Sequence, residues 1–106
     1  MSSPNTPNAS QLARYGVVFH ALSDPSRLAI VHALANGPQP SYSLARTIDC
    51  SPTLTSRHLR ILRNAGVISA DVHGPQTVYE LSYTCVLGFT ECLDQARSVS
   101  CAAAAC

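Results

Sequence analysis

Lysine is absent from this 106-residue chain, charged residues make up only 12% of it, and the formal net charge is +1. Composition by itself therefore gives no argument for nucleic acid, and any basic surface has to be built locally from arginine. No apolar run approaches the ~20 residues that a membrane span needs. Residues 1 to 10 are polar and turn-rich, are expected to be disordered, and lack the basic and apolar regions of a secretion signal. A soluble, cytoplasmic protein is expected. Also missing are a Gly-rich phosphate loop, a supported Ser/His/Asp arrangement and paired carboxylates, since the six acids are scattered. These absences point away from an enzyme. The length allows one domain with one modest core, taken as residues 11 to 99 between tails at 1–10 and 100–106.

What basic charge there is concentrates. The seven arginines are Arg14, Arg27, Arg46, Arg57, Arg60, Arg63 and Arg97; three fall within residues 51 to 66, and no acid occurs between Asp49 and Asp71. Read as a helix, residues 51 to 66 separate into two faces. Leu54, Thr55, His58, Leu59, Ile61, Leu62 and Ala65 follow the spacing that packs onto a core. Thr53, Ser56, Arg57 and Arg60 recur at i, i+3, i+4 and i+7 on the opposite face, with Arg63 and Asn64 at its end. Ser51 suits the N-cap, Pro52 the first helical position and Gly66 the stop. Hydroxyls and guanidinium forks on one exposed face are the chemistry that phosphates and base edges require. An ordinary solvated helix face is the competing reading of the segment alone, and the surrounding pattern decides against it.

That pattern reads helix, helix, helix, helix, hairpin, helix. The first helix is predicted from about Gln11 to Leu22, with Leu12, Tyr15, Phe19 and Leu22 on one face and Val18 beside them. Asp24-Pro25 opens the second, whose stripe is Leu28, Val31, Leu34 and Ala35, and Asn36-Gly37-Pro38 ends it. The third runs from Ser41 to Ile48, and Asp49-Cys50 turns the chain into the fourth. Val67 to Val72 and Thr77 to Ser82 pair as strands about a tip of His73-Gly74-Pro75-Gln76. A last helix starts near Tyr83 and reaches at least Val99. A helix-turn-helix followed by a two-stranded wing is winged-helix order, a mainly α (α+β) fold.

Four stretches make the resemblance specific: Ala21 to Leu28, Ser51 to Leu62, Asn64 to Ile68, and Val78 to Leu81. Together they resemble the ArsR/SmtB family of bacterial repressors over roughly residues 12 to 95. The resemblance implies a homodimer joined through its first and last helices, bound to double-stranded operator DNA until a metal or metalloid releases it. Two recognition helices must then enter major grooves about one turn, ~34 Å, apart. Thr53, Ser56, Arg57 and Arg60 would face bases and phosphates, with Arg46 and Arg63 as phosphate anchors. Family wings often carry arginines at the tip; this one offers His73 and Gln76, so a smaller wing contribution is expected. Arg27 is read as a structural ion pair or cap contact, and His58 as a satisfied core residue.

The family's inducer sites are not matched. Where many members carry a cysteine pair, this chain has Pro40-Ser41-Tyr42-Ser43-Leu44-Ala45. Near the family's Asp/His positions in the last helix stand Tyr83 and Cys85, then Ala96 and Val99, so zinc, nickel and cobalt lack their imidazoles. What remains is sulfur. Of the five cysteines, Cys85, Cys92, Cys101 and Cys106 fall in the final 22 residues, while Cys50 packs in a turn. Their odd number, without a secretion signal, argues for thiols rather than disulfides. Sulfur-only ligation selects trivalent arsenic or antimony first, then cadmium, lead or copper(I). Packing of Cys85 and Cys92 as small apolar side chains is the plainer alternative. Two rival functions also stay open: oxidant or reactive-sulfur sensing through the same thiols, and a winged-helix protein-interaction module that binds no DNA.

Overall fold

A computed structural model describes residues 6–103, with side chains described as far as residue 96. Capping chemistry sets the helix boundaries. Asn8 and Gln11 form a reciprocal capping box with two 2.8 Å bonds, so α1 (Ala9–Ala21) begins before the apolar pattern that was used to predict it. Asp24 accepts from the backbone of Ser26 and Arg27 and, with Pro25 at the first position, opens α2 (Pro25–Leu34). Ser51 does the same for α4 (Pro52–Asn64), accepting from the Leu54 backbone at 3.1 Å.

Two helix ends carry the helix-turn-helix. At the end of α3 (Ser41–Ile48), Asp49 takes the left-handed conformation (φ 55°), with Asp49 N–H on the Arg46 carbonyl and Cys50 N–H on that of Ala45. This pair of bonds is a Schellman motif, and aspartate is one of the few residues that tolerate its αL position. The same motif ends α4: Gly66 (φ +83°) donates to the Arg63 carbonyl and Val67 to that of Leu62. Ser23, Gln39 and Ser43 fasten the intervening turns, Gln39 by donating to the Ala33 carbonyl at 2.7 Å while accepting from Ser43.

The wing is β2 (Ile68–His73) and β3 (Gln76–Leu81), antiparallel, in register from Ile68 opposite Leu81 to His73 opposite Gln76. Its tip is therefore Gly74-Pro75 alone, with Gly74 at φ +64° as the first residue of a two-residue turn requires. A third strand, β1 (Gln39–Pro40), pairs with β3 and makes the order β1-β3-β2, which the hairpin expectation lacked. Two residues, one of them proline, carry no strand signal. The last helix, α5 (Cys85–Ala103), starts after Tyr83 and continues past Val99.

The core lies where α2, α3 and α4 meet the root of the wing: Ile30, Val31, Leu34, Leu44, Leu59, Leu62, Val67, Ile68, Leu81 and Val86 are buried. On α2 the buried stripe is Arg27, Ile30, Val31, Ala33 and Leu34, so the predicted Leu28 and Ala35 face partly or wholly outward. That helix is apolar around most of its circumference, and tertiary packing chooses the face. On α4 the buried face begins at Thr55; Leu54, in the first turn, is exposed. The α1 face built from Leu12, Tyr15 and Phe19 is exposed as well.

Candidate nucleic-acid interface

Helix α4 presents the two faces that its spacing predicts. Thr55, His58, Leu59 and Leu62 are buried, whereas Thr53, Ser56, Arg57, Arg60 and Arg63 are exposed. Arg46, in the last turn of α3, and His73 and Gln76, paired across the wing tip, are exposed too. The acid–base contact found among the described residues joins His73 Nε2 to Asp71 at 3.2 Å, out on the wing. Arg46, Arg57, Arg60 and Arg63 thus have no acid partner among the described residues. Such a surface is unneutralised and open to an anionic partner. Asp71, beside His73, works against the wing tip as a phosphate contact. Asn64, which the sequence places at the end of the polar face, and Tyr79, which no sequence pattern singled out, line a cleft of about 240 Å³ between α4 and β3 with Ser56, Leu59, Arg60 and Arg63.

A buried arginine holds the exposed face in place. Arg27 Nε donates to the Ala21 carbonyl at 2.6 Å, one terminal nitrogen donates to the His20 carbonyl at 3.4 Å, and the other meets His58 Nδ1 at 3.3 Å. The guanidinium caps the C-terminal carbonyls of α1, which have no partner within that helix. Arginine has only donors, so His58 Nδ1 must be the acceptor, with the ring proton on Nε2. The sequence expectation of a structural Arg27 holds as a cap contact rather than an ion pair. Desolvation pushes the Asp24 carboxyl up, but the backbone N–H groups of Ser26 and Arg27 and the Arg27 charge outweigh it and hold Asp24 below its ordinary range.

The thiols occupy a different part of the molecule. Cys85 and Cys92 are free and exposed on α5, and Cys50 is free and half-buried. Cys101 lies on the α5 backbone, but its side chain, like all of Cys106, is outside the described residues. Seven helical positions separate Cys85 from Cys92, a rise of ~10 Å, whereas two thiolates sharing one ion at ~2.3 Å lie within ~4.6 Å. Among the described residues no three His, Cys, Asp or Glu side chains gather to hold a metal. These two cysteines therefore cannot share an ion within one protomer. Cys85 instead lines an open pocket of about 450 Å³ with Arg14, Tyr15, Val18, Phe19 and Tyr83.

Comparison with known proteins addresses the whole arrangement. The family model "Bacterial regulatory protein, arsR family" matches residues 24–70. The HTH-type transcriptional regulator NmtR of Mycobacterium tuberculosis is 39% identical over 94 residues, covering 88% of this chain and 76% of its own. The chain belongs to the ArsR family of bacterial regulatory proteins. A second relative, the cadmium resistance transcriptional regulatory protein CadC of Listeria innocua, is 35% identical over 74 residues, 69% of this chain and 62% of that one. The fold matches the homodimeric winged helix-turn-helix DNA-binding domain of Mb0332 from Mycobacterium bovis, with a TM-score of 0.76 at 22% identity over 92% of this chain and 94% of that one. As an ArsR-family member the chain is a winged helix-turn-helix regulator and not an enzyme. The family match runs from the Asp24 cap through α4 into β2. It contains the arginine face and its Arg27 anchor, and leaves out α1 and the cysteine-bearing α5.

Proposed function

We propose that this chain is a homodimeric, cytoplasmic repressor that lays α4 in the major groove of an operator and leaves it when a thiophilic ion binds the α5 cysteines. The observation that carries the reading is the exposed face of Thr53, Ser56, Arg57, Arg60 and Arg63, which has no carboxylate to neutralise it among the described residues. Among the described residues no helix is long and apolar enough to cross a membrane.

The dimer reading draws on surface that one protomer leaves bare. Leu12, Tyr15 and Phe19 of α1 and Phe89 and Leu93 of α5 are exposed, with Phe19 and Phe89 in edge-to-face contact at 6.2 Å. A contiguous apolar patch of this kind marks an interaction surface. The radius of gyration is 16.3 Å, against ~13 Å for a compact domain of this length. An open protomer of this shape fits one that completes its packing against a copy. The Mb0332 likeness, a homodimer by its own description, favours the same assembly.

For the inducer, an all-sulfur ligand set suits trivalent arsenic first, and the likeness to a cadmium resistance regulator sets cadmium beside it. Cys85 and Cys92 require thiols from the partner, or Cys101 or Cys106, to complete a site. Ligation would then depend on dimer geometry, the coupling that a switch needs.

The test is fluorescence anisotropy with promoter fragments of the source genome under strict reduction, read against a mixed-sequence duplex. The parent should form a specific, salt-sensitive complex that Arg57→Ala weakens by roughly 5- to 150-fold, the worth of one arginine–guanine pair. Arsenite or cadmium should release it, and Cys85→Ser or Cys92→Ser should blunt that release. Release by peroxide but by neither ion would replace the ion with thiol oxidation. No specific complex at low salt would refute the repressor.

A further inference from the structure

We propose that the cleft between α4 and β3 is a phosphate subsite, in which Arg60, Arg63, Asn64, Ser56 and Tyr79 hold one phosphodiester of the operator backbone; the inference rests on the repressor reading above. The cleft encloses about 240 Å³. Ser56, Arg60 and Arg63 line it from successive turns of α4, Asn64 closes its end, Leu59 forms its apolar floor, and Tyr79 faces them from the central strand. Two guanidiniums, an amide, a hydroxyl and a phenol meet there without a carboxylate. These are the side-chain types that donate to phosphate oxygens in protein–DNA contacts. Two cations lining one small cleft repel each other, and an anion between them turns that repulsion into attraction.

Helix-dipole compensation offers a plainer account of basic residues near the end of α4. It covers Arg63, in the last turn. It does not cover Arg60, a turn earlier, nor the convergence of Tyr79 from another element. Position in the fold argues the same way. A helix lying in the major groove has the sugar–phosphate backbones on either side of it, and this notch flanks α4 on its β3 side. The wing tip here has no arginine and carries Asp71 against His73.

The assignment divides labour on α4. Arg60 and Arg63 read no sequence and set the register, while Arg57 and Thr53 face base edges. Arg60→Gln, Arg63→Gln and Tyr79→Phe are compared with the parent on operator and mixed-sequence duplexes over a salt series, and inorganic phosphate is titrated as competitor. Each arginine variant should lose about tenfold on both duplexes alike, one charge-assisted contact, and reduce the log–log salt slope by about 0.9. Tyr79→Phe should weaken both equally with an unchanged slope, since it removes a neutral donor. Inorganic phosphate should shift the Arg60 and Arg63 side-chain resonances, and duplex should displace it.

An arginine variant that relaxes discrimination at one base pair, or keeps the parent slope, overturns the subsite while leaving the repressor standing. Phosphate that stays bound while the duplex binds makes the cleft a free-anion site and overturns the operator assignment. A parent that binds neither duplex removes the repressor reading and the subsite together.

Discussion

Replacing Arg27 by methionine keeps most of the side-chain volume and deletes every donor. The Ala21 carbonyl at 2.6 Å and His58 Nδ1 at 3.3 Å lose this donor, while the His20 carbonyl, 3.4 Å away, still accepts from the Ser23 backbone and hydroxyl. Only the first is short, so it carries most of the loss. A hydrogen bond from a charged donor is worth about 1.5–3 kcal/mol, and a buried acceptor left bare costs about 1–3 kcal/mol. Removing a buried charge returns part of this, because its desolvation penalty disappears too. The net destabilisation is about 3 kcal/mol. For a domain of this size that lowers Tm by roughly 12 °C or more. Thermal circular dichroism at one fixed protein concentration measures it, since dimerisation makes Tm depend on concentration. Arg57→Met, on the exposed face of α4, is the control and should stay within about 0.5 kcal/mol of the parent. Arg27→Lys should recover only part of the loss, because an ammonium lacks the planar fork that reaches three acceptors. A Tm change under about 4 °C for Arg27→Met, or an equal change for Arg57→Met, would refute the anchor.

Thr55 Oγ1 is buried without a hydrogen-bond partner among the described residues, so Thr55→Val should raise stability by roughly 1 kcal/mol; a fall in Tm would mean that the hydroxyl is bonded. Gly66 sits at φ +83°, and a Cβ there would meet the Tyr83 hydroxyl at 3.1 Å. Gly66→Ala should therefore cost about 1–2 kcal/mol from the backbone plus a steric part. Tyr83→Phe in the same chain should relieve that steric part alone, and additive losses in the double variant would count against the contact. Asp24 has its pKa lowered in the folded state, so its contribution to stability is complete above its ordinary value of 3.8 and is lost as pH falls through the folded value. Melting curves of Asp24→Asn, which keeps the cap acceptor, should fall less steeply with acid than the parent's; parallel curves would contradict the shift.

The helix-turn-helix was legible because its boundaries are written in short-range chemistry. Asp24-Pro25, Ser51-Pro52 and Gly66 each cap or stop a helix through bonds to residues two or three positions away. The two faces of α4 were legible because polar and apolar residues there obey one period. On α2 the periodicity offers several stripes, and only the docking of α3 and α4 selects Ile30 and Ala33 over Leu28 and Ala35. The notch was beyond reach for another reason. Asn64 and Tyr79 lie fifteen positions apart on separate elements, and no local pattern says that β3 turns its tyrosine toward α4. The thiols were legible as a cluster in sequence, yet a single helix keeps Cys85 and Cys92 too far apart to act as a pair.

Those thiols and the arginine face occupy opposite ends of one mechanical problem. The apolar surface of α1 and α5 is where a second protomer would sit, and the recognition face is on α4. Arg27 is bonded at once to the carbonyls that end α1 and to His58 on the inner side of α4. Thr90 of α5 donates to the Leu87 carbonyl at 3.0 Å, which leaves its hydroxyl oxygen to accept from His32 Nε2 of α2 at 3.1 Å. Helices α1 and α5 are thus both tied by polar contacts to the body that carries α4. In the proposed dimer, a change in the angle between protomers would then reach the two α4 helices as a rigid displacement. With half-sites one turn apart, ~34 Å, a rotation of ~10° at the two-fold axis moves each recognition helix by ~3 Å. Base-edge hydrogen bonds fail beyond a few tenths of an ångström from their ~2.9 Å optimum, so a small rearrangement at the interface suffices to abolish readout without unfolding either subunit.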